Sequence, residues 1–476
     1  MQKFFQPRSV VIVGASNSLF NLGFTIVNVL VDQQFNGKVF SVNSKGEFVM
    51  GCPGFKSILE IPEAVDLAII LIAARHVPGV MEQCGKKGIK NVIIESAGFA
   101  ENGDSGMALQ HELDAIACCY GIRYMGPNCL GVVSARNRFC CFFGGDPRNY
   151  DRIFQEPGTL SYVVQSGGIG AFLMESLDSD VASVNKVVSI GNKADVDEAD
   201  LIDYFQHDET EVIGMYLENF RNGRKLIASA KKSKKPIMVF KVGRPAEGSK
   251  AAMSHTAGMA NDDKIFEYAC RQAGIIRLKS IKELHSLPKV FTTMPVLKGK
   301  RIAIFTNTGA FGGITADIMI EEGLQMAQLA NGTQQRLRKA GQLFNASNPV
   351  DLGPGISKQA IVDIFEILLS ASEVDGLISM PNIWHESIFE AVIELVKMCS
   401  IYQKPAAIHI PNSVERIISV RKHYRLPLFE SPEEAVRALS VSSQYYQYSM
   451  KKNILSGFDS KQKKQTDKQD KVAIIA

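Results

Sequence analysis

A chain of 476 residues is too long for one hydrophobic core and predicts about three domains of ordinary size. With 46% apolar residues, 21% charged residues and a formal net charge of +4, the composition is that of a globular protein and excludes a dedicated nucleic-acid face. Nine cysteines without C-x-x-C spacing predict neither a disulfide framework nor a zinc ribbon but a reducing, cytoplasmic setting, and no apolar run approaches the roughly 20 residues of a membrane helix.

From the N-terminus, MQKFFQPRSVVIVGAS runs directly into a strand and a glycine turn, with no pattern expected of an export signal. Short β-branched runs then alternate with longer amphipathic stretches, the pattern of strand–helix–strand units around parallel sheets. In chain order the predicted strands are SVVIVGA, GKVFSVN, LAIILIA, NVIIESA, LSYVVQS, VNKVVSI, EVIGMYLE, PIMVFKV, RIAIFTN, GLISMPN and PAAIHIP. The fold class is therefore α/β.

Three of these strands end in a glycine-rich turn that opens a helix: Val10 to Gly23, Tyr162 to Leu177, and Ile302 to Glu322. Glycine there lets backbone N–H groups approach an anion at the positive end of a helix, although a tight strand-to-helix turn needs small residues in any case. Three such turns, evenly spaced, favour three doubly wound domains that handle phosphates. Turn-formers and charge collect at Asp146 to Gly158 and at Met294 to Lys300, which divides the chain into 1–145, 146–293 and 294–450. The remainder, 451–476, is rich in Lys, Gln, Asp and Ser without apolar periodicity and is expected to be a charged, flexible tail.

The run IMVFKVG is followed by GSKAAMSHTAG, Gly248 to Gly258, which sets His255 among small residues. Free imidazole is largely neutral near pH 7 and offers a nitrogen lone pair to phosphorus, so this loop suits a phosphoryl carrier. As one of eight histidines it is weak evidence taken alone, since most such residues are structural. Asp195, Asp197 and Asp200 resemble a metal cluster, but they lead into an amphipathic helix, where acids at the N-terminus are favoured; no metal site is expected there.

Taken together and in order, VGAS (Val13 to Ser16), ESAGF (Glu95 to Phe99), GPNCLG (Gly126 to Gly131), QSGGIG (Gln165 to Gly170), SIGNKADVDEADLIDY (Ser189 to Tyr204), YLENFRNGRK (Tyr216 to Lys225), SHTAG (Ser254 to Gly258) and NPVDL (Asn348 to Leu352) resemble the α subunit of NDP-forming acyl-CoA synthetases, the family of ADP-forming acetyl-CoA synthetase and a relative of succinyl-CoA synthetase. The resemblance spans residues 5 to 445. It implies a Rossmann-like CoA-binding domain followed by two flavodoxin-like doubly wound domains. It also implies a reaction in which acyl-CoA and phosphate give an acyl phosphate, a histidine is phosphorylated, and ADP or GDP accepts the group. The ATP/ADP or GTP/GDP site, with its Mg, is implied on an ATP-grasp β subunit, so a hetero-oligomer acting on CoA and a small carboxylic acid is expected.

By the same resemblance His255 is the phosphorylated histidine and Glu218 its supporting carboxylate, while Ser166, Gly167 and Gly168 receive the phosphoryl oxygens. The CoA contacts implied are Gly14, Ala15 and Ser16 at the first turn, Lys45 after the second strand, Ile72 and Ala73 after the third, Ser96 after the fourth, and Asn128 and Cys129 near the thiol end. The chain departs from the family at three places: NSK stands for NPK, Ile72 to Ala74 for a Pro-containing edge, and HTAGMA for HTGS or HTGA. These departures leave open a CoA-binding regulatory or interaction protein without turnover. A nicotinamide-dependent oxidoreductase is disfavoured, because the first turn lacks G-x-G-x-x-G and Val42 and Asn43, not an acid, end the second strand.

Overall fold

The computed structural model describes residues 1–476 except 145–147, 177–182, 244–262, 354–356, 383–385, 425 and 474–476, and gives no side-chain placement for 148–149, 386–387 and 453–473. The chain divides into two compact units, Met1–Pro288 and Lys289–Ala476.

In the first unit, β1 (Ser9–Val13), β2 (Lys38–Val42), β3 (Gly54–Phe55), β4 (Leu67–Ile70), β5 (Asn91–Ile94) and β6 (Arg123–Met125) form a parallel sheet in the order β3-β2-β1-β4-β5-β6. That order reverses between β1 and β4, the Rossmann arrangement, in which ligands collect beyond the strand C-termini at the reversal. Both faces are covered by helices, so β1 and β4 are buried along their whole length and consist of apolar residues with Ser9 as the exception in type.

A second sheet of the same unit contains β7 (Val132–Ser134), β8 (Phe139–Cys140), β9 (Leu160–Val164), β10 (Val184–Ser189), β11 (Val212–Leu217), β12 (Ile237–Lys241) and β13 (Ile276–Arg277), ordered β13-β12-β11-β9-β10-β7-β8. Its parallel part, from β10 through β9 to β13, has the flavodoxin order 2-1-3-4-5, with its reversal between β9 and β11. β7 and β8 precede residue 145, yet β7 pairs antiparallel with β10. The first two domains therefore interlock across the boundary that charge and turn-formers suggested.

In the second unit β14 (Arg301–Thr306), β15 (Gln325–Met326), β17 (Gly376–Met380), β18 (Ala406–His409) and β19 (Leu428–Phe429) repeat the 2-1-3-4-5 order, and β16 (Val350–Asp351) pairs with β14. The last helix runs from Pro432 to Ala473 and so passes through the stretch expected as a flexible tail. Lys and Gln are good helix formers, and the run after Gly457 contains neither Gly nor Pro, so local propensity carries a helix that apolar periodicity did not reveal. Among the described residues no helix is long and apolar enough to cross a membrane.

Candidate active site

The reversal of the second sheet brings two chain segments side by side. β9 and β11 are parallel neighbours with Val164 in register with Tyr216, so Gln165 and Ser166 leave one strand beside the point where Glu218 leaves the other. Gln165 is buried and joins them: its N–H donates to Tyr216 O at 3.0 Å, and its Oε1 accepts from the N–H groups of Glu218 at 3.0 Å and Asn219 at 3.2 Å. An amide supplies this double acceptor without placing a charge in the interior, where an ionised carboxylate would carry a desolvation cost.

The helix Gly167–Ser176 starts here, and its first N–H groups have no acceptor within the helix. Its glycines differ in purpose. A Cβ on Gly167 would lie 2.1 Å from Leu130 Cγ, and one on Gly170 would meet Phe142 and Val164 within about 3 Å, so both are required by close packing. A Cβ on Gly168 would meet only Ser166 Oγ, at 3.9 Å, and Gly168 is exposed. The open side of the helix start is therefore at Ser166 and Gly168, where backbone donors and the helix dipole together suit a phosphoryl group.

Glu218 is half-buried and shares a hydrogen bond with the Tyr216 hydroxyl. Burial first, then the Glu218 charge and that hydrogen bond, push the Tyr216 hydroxyl up to about 12. Tyr216 thus stays a neutral donor that steadies the carboxylate. Its role was not visible from sequence, since a Tyr near the end of a strand has no spacing signal of its own. His255 lies in 244–262, outside the described residues. That segment is bounded by β12, whose Lys241 is in register with Leu217, and by the helix Asp263–Ala273.

The GPNCLG segment joins this site to the first sheet. Asn128, in the left-handed region with φ 60°, donates its N–H to Ser96 O at 3.0 Å, and its side-chain amide meets Asn192 Oδ1 at 3.4 Å. Leu130 N–H donates to Ser189 Oγ, and Ala194 N–H to Gly126 O. Gly191 passes beneath, where a Cβ would lie 2.3 Å from the carbonyl oxygens of both Pro127 and Asn128. Cys129, expected among the CoA contacts, is 1% exposed and donates its thiol to Ile94 O; burial raises its pKa far above the usual thiol value. The side chain is therefore part of the core and offers no exposed thiol.

Beneath the same segment Glu95 is 4% exposed, and neither carboxyl oxygen has a hydrogen-bond partner. A Cβ on Gly131 would lie 2.6 Å from Glu95 Oε1. Burial raises its pKa well above the usual carboxylate value, opposed by the neighbouring Cys141 thiol. That thiol is a weak donor already directed at Val132 O, so geometry favours an unpartnered, protonated acid.

At the first sheet's turn, Gly14 has φ 103°, and a Cβ there would lie 2.2 Å from Leu71 O, so no other residue fits. Ala15 is buried, while Ser16 N–H donates to Asn21 Oδ1 at 3.1 Å. Asn21 also caps the helix Leu22–Asp32 through Phe24 N–H and donates to Gly14 O. This side chain occupies the turn and was missed, although an Asn just before an apolar periodic run is a readable cap signal. Ser96 is likewise engaged, accepting from Ile72 N–H at 3.0 Å. Ile72 is half-buried, whereas Ala73 and Lys45 are exposed, the latter 3.9 Å from Glu47. The aspartates all have structural work: Asp197 caps the helix Glu198–Phe205 in a capping box, Asp195 pairs with Arg123, and Asp200 pairs with Arg123 and Lys225. Engaged in this way, they do not fit a magnesium site.

Comparison with known proteins bears directly on this geometry. Residues 8–135 match the model of a CoA binding domain, and residues 157–291 match that of the succinyl-CoA ligase like flavodoxin domain. The chain is 34% identical over 446 residues to the acetate–CoA ligase [ADP-forming] II subunit alpha of Pyrococcus furiosus, covering 91% of this chain and 95% of that protein. The chain belongs to the ADP-forming acetate–CoA ligase family. The acetate–CoA ligase [ADP-forming] II of Archaeoglobus fulgidus is 33% identical over 94% of this chain, which corresponds to 67% of that longer protein. A solved structure of acetyl-coenzyme A synthetase 1 from Ca. Korarchaeum cryptofilum, in complex with phosphate and ADP, superposes with a TM-score of 0.87 at 29% identity, covering 94% of this chain and 98% of that one. The Gln165–Gly168 helix start and Glu218 lie within residues 157–291, the stretch that matches the flavodoxin domain.

Proposed function

We propose that the chain is the α subunit of an ADP-forming acid–CoA ligase, with acetate as the acid, working with an ATP-grasp β subunit that holds the nucleotide and its Mg. The acid follows from the names of the relatives. The partner follows from the α-subunit relatives and from the extra length of the Archaeoglobus protein.

A phosphate oxygen attacks the acyl carbonyl, the C–S bond breaks, and CoA leaves as the thiol after gaining a proton. A nitrogen of His255 then attacks phosphorus, the P–O bond to the acyl group breaks, and the carboxylate departs. In the last step an ADP β-phosphate oxygen displaces the imidazole. Ser166 Oγ and the N–H groups at Gly167 and Gly168 hold the phosphoryl oxygens, and Glu218 stabilises the imidazolium formed as His255 takes up the group. The single observation that supports this reading most is the Gln165 side chain, which ties the Glu218 backbone to the helix start that would receive the phosphoryl group.

The test is to incubate the chain with labelled phosphate and acetyl-CoA and assay acid-labile, base-stable label. Label on the wild-type chain, discharged by ADP once an ATP-grasp partner is added, is the expected result. Bound CoA without label, even with a competent partner, would instead identify a CoA-binding protein without turnover.

A further inference from the structure

Asn219, the residue after Glu218, is held at both of its backbone groups by side chains from two other strand exits. Its N–H donates to Gln165 Oε1 at 3.2 Å, and its carbonyl oxygen accepts from Lys193 Nζ at 2.6 Å. Gln165 follows β9, and Lys193 lies in the loop after β10. A single bond on the N–H side would leave this peptide able to pivot, and a second on the carbonyl side removes that freedom.

Lys193 is an unfavourable residue for this place on two counts. It is 1% exposed and forms an ion pair at 3.0 Å with Glu198 Oε2, on a side chain that is also 1% exposed; desolvating such a pair often offsets its attraction, so stability alone does not account for it. Its backbone has φ 45°, in the left-handed region that residues with a Cβ seldom adopt. The segment around it is nevertheless firmly fixed. Lys193 N–H donates to Ile190 O at 2.9 Å, Asn192 N–H to Pro127 O at 2.9 Å and Ala194 N–H to Gly126 O at 3.0 Å, while Arg221 Nη1 donates to Lys193 O at 3.3 Å. The lysine is therefore rooted on the GPNCLG segment, and its ammonium group reaches the carbonyl beside Glu218.

We infer that Lys193 is a positioning residue for Glu218, fixing through Asn219 where that carboxylate stands against the helix start at Gly167. This rests on the reading of Glu218 as the carboxylate that stabilises the histidine cation, and it names what holds that carboxylate in place. Lys193 touches no substrate; its effect passes through the Asn219 carbonyl. Glu198 has the secondary part of orienting the ammonium group, which places one donor on the carboxylate and another on the carbonyl. The same lysine ties the Glu218 exit to the GPNCLG segment, so a shift in either segment is transmitted to the other. Because a displacement of about 1 Å at a reacting centre costs up to about a hundredfold in rate, a clamp of this kind matters more to turnover than to folding.

The experiment is single-turnover labelling of the full chain, with an ATP-grasp partner, by acetyl phosphate carrying a labelled phosphoryl group, beside calorimetry with CoA. Lys193→Met together with Glu198→Gln, which removes both charges of the buried pair, should slow labelling about tenfold or more and leave CoA affinity unchanged. Glu198→Gln alone keeps the ammonium group on the Asn219 carbonyl; it should lower the denaturation midpoint yet label at the wild-type rate. In a Glu218→Gln background the same paired substitution should change the rate less than about twofold, because the group it positions is gone. An equal tenfold loss in that background, a wild-type rate in the paired variant, or slow labelling by folded Glu198→Gln each overturns the proposal. A wild-type chain that takes no label would remove the reading of Glu218 itself, and the positioning role with it.

Discussion

The first and second glycine turns share one local grammar, a buried strand, a small-residue turn and a helix, yet they are finished in opposite ways. At the first, Asn21 occupies the turn, caps the helix and takes the Ser16 N–H. At the second, Gln165 is directed away from its own helix to the neighbouring strand's exit, and the helix start stays open on the Gly168 side. A sealed turn serves as a scaffold beside which a ligand lies, whereas an open one presents donors to an anion. Glycine content alone does not separate the two; the polar side chain nearest the turn does.

Five substitutions would break or sharpen this contrast. The largest effect is expected from Glu218→Gln, which keeps the shape but removes the charge proposed to stabilise a histidine cation; phosphorylation should slow about a hundredfold in single-turnover assays while CoA affinity holds. Next are the neighbouring glycines. Gly167→Ala forces a methyl group against Leu130 and should cost about 2 kcal/mol in denaturant unfolding, whereas Gly168→Ala should leave stability unchanged. If both prove equally harmless, the helix start is less tightly clasped than its packing indicates.

Glu95 is a test by pH. Its folded pKa is raised from the ordinary value near 4.5, so above that pH the folded state holds the proton more tightly than the unfolded chain does, and stability falls as pH rises towards the raised value. The slope reaches about 1.4 kcal/mol per pH unit. Glu95→Gln should remove that slope, read as denaturation midpoints that vary less with pH above 4.5. The smallest effect belongs to the sealed turn itself: Asn21→Ala loses a helix cap and should cost about 1 kcal/mol.

Much of the fold was legible because buried parallel strands are long apolar runs. Every predicted strand contains an observed one, and the strands not foreseen are two or three residues long, too short to show any period. Gln165, Ser166 and Glu218 could be named in the sequence, but the bond between them depends on β9 and β11 being adjacent, which sequence separation hides. Cys129 read as a ligand contact because its motif lies at the site, although its side chain turns into the core. Tyr216 and Glu95 were not legible at all, since what defines them is burial beside a particular neighbour. The helix through 451–473 was missed for a different reason: apolar periodicity reports packing and says little about a polar helix.

The most direct test of the central claim is phosphoryl labelling of His255→Ala beside the wild-type chain, each with an ATP-grasp partner, ADP, phosphate and acetyl-CoA. The account predicts acid-labile label and ATP synthesis in the wild type, and in the variant loss of both with CoA affinity unchanged. Label retained on the variant, or CoA affinity lost together with the label, would contradict it.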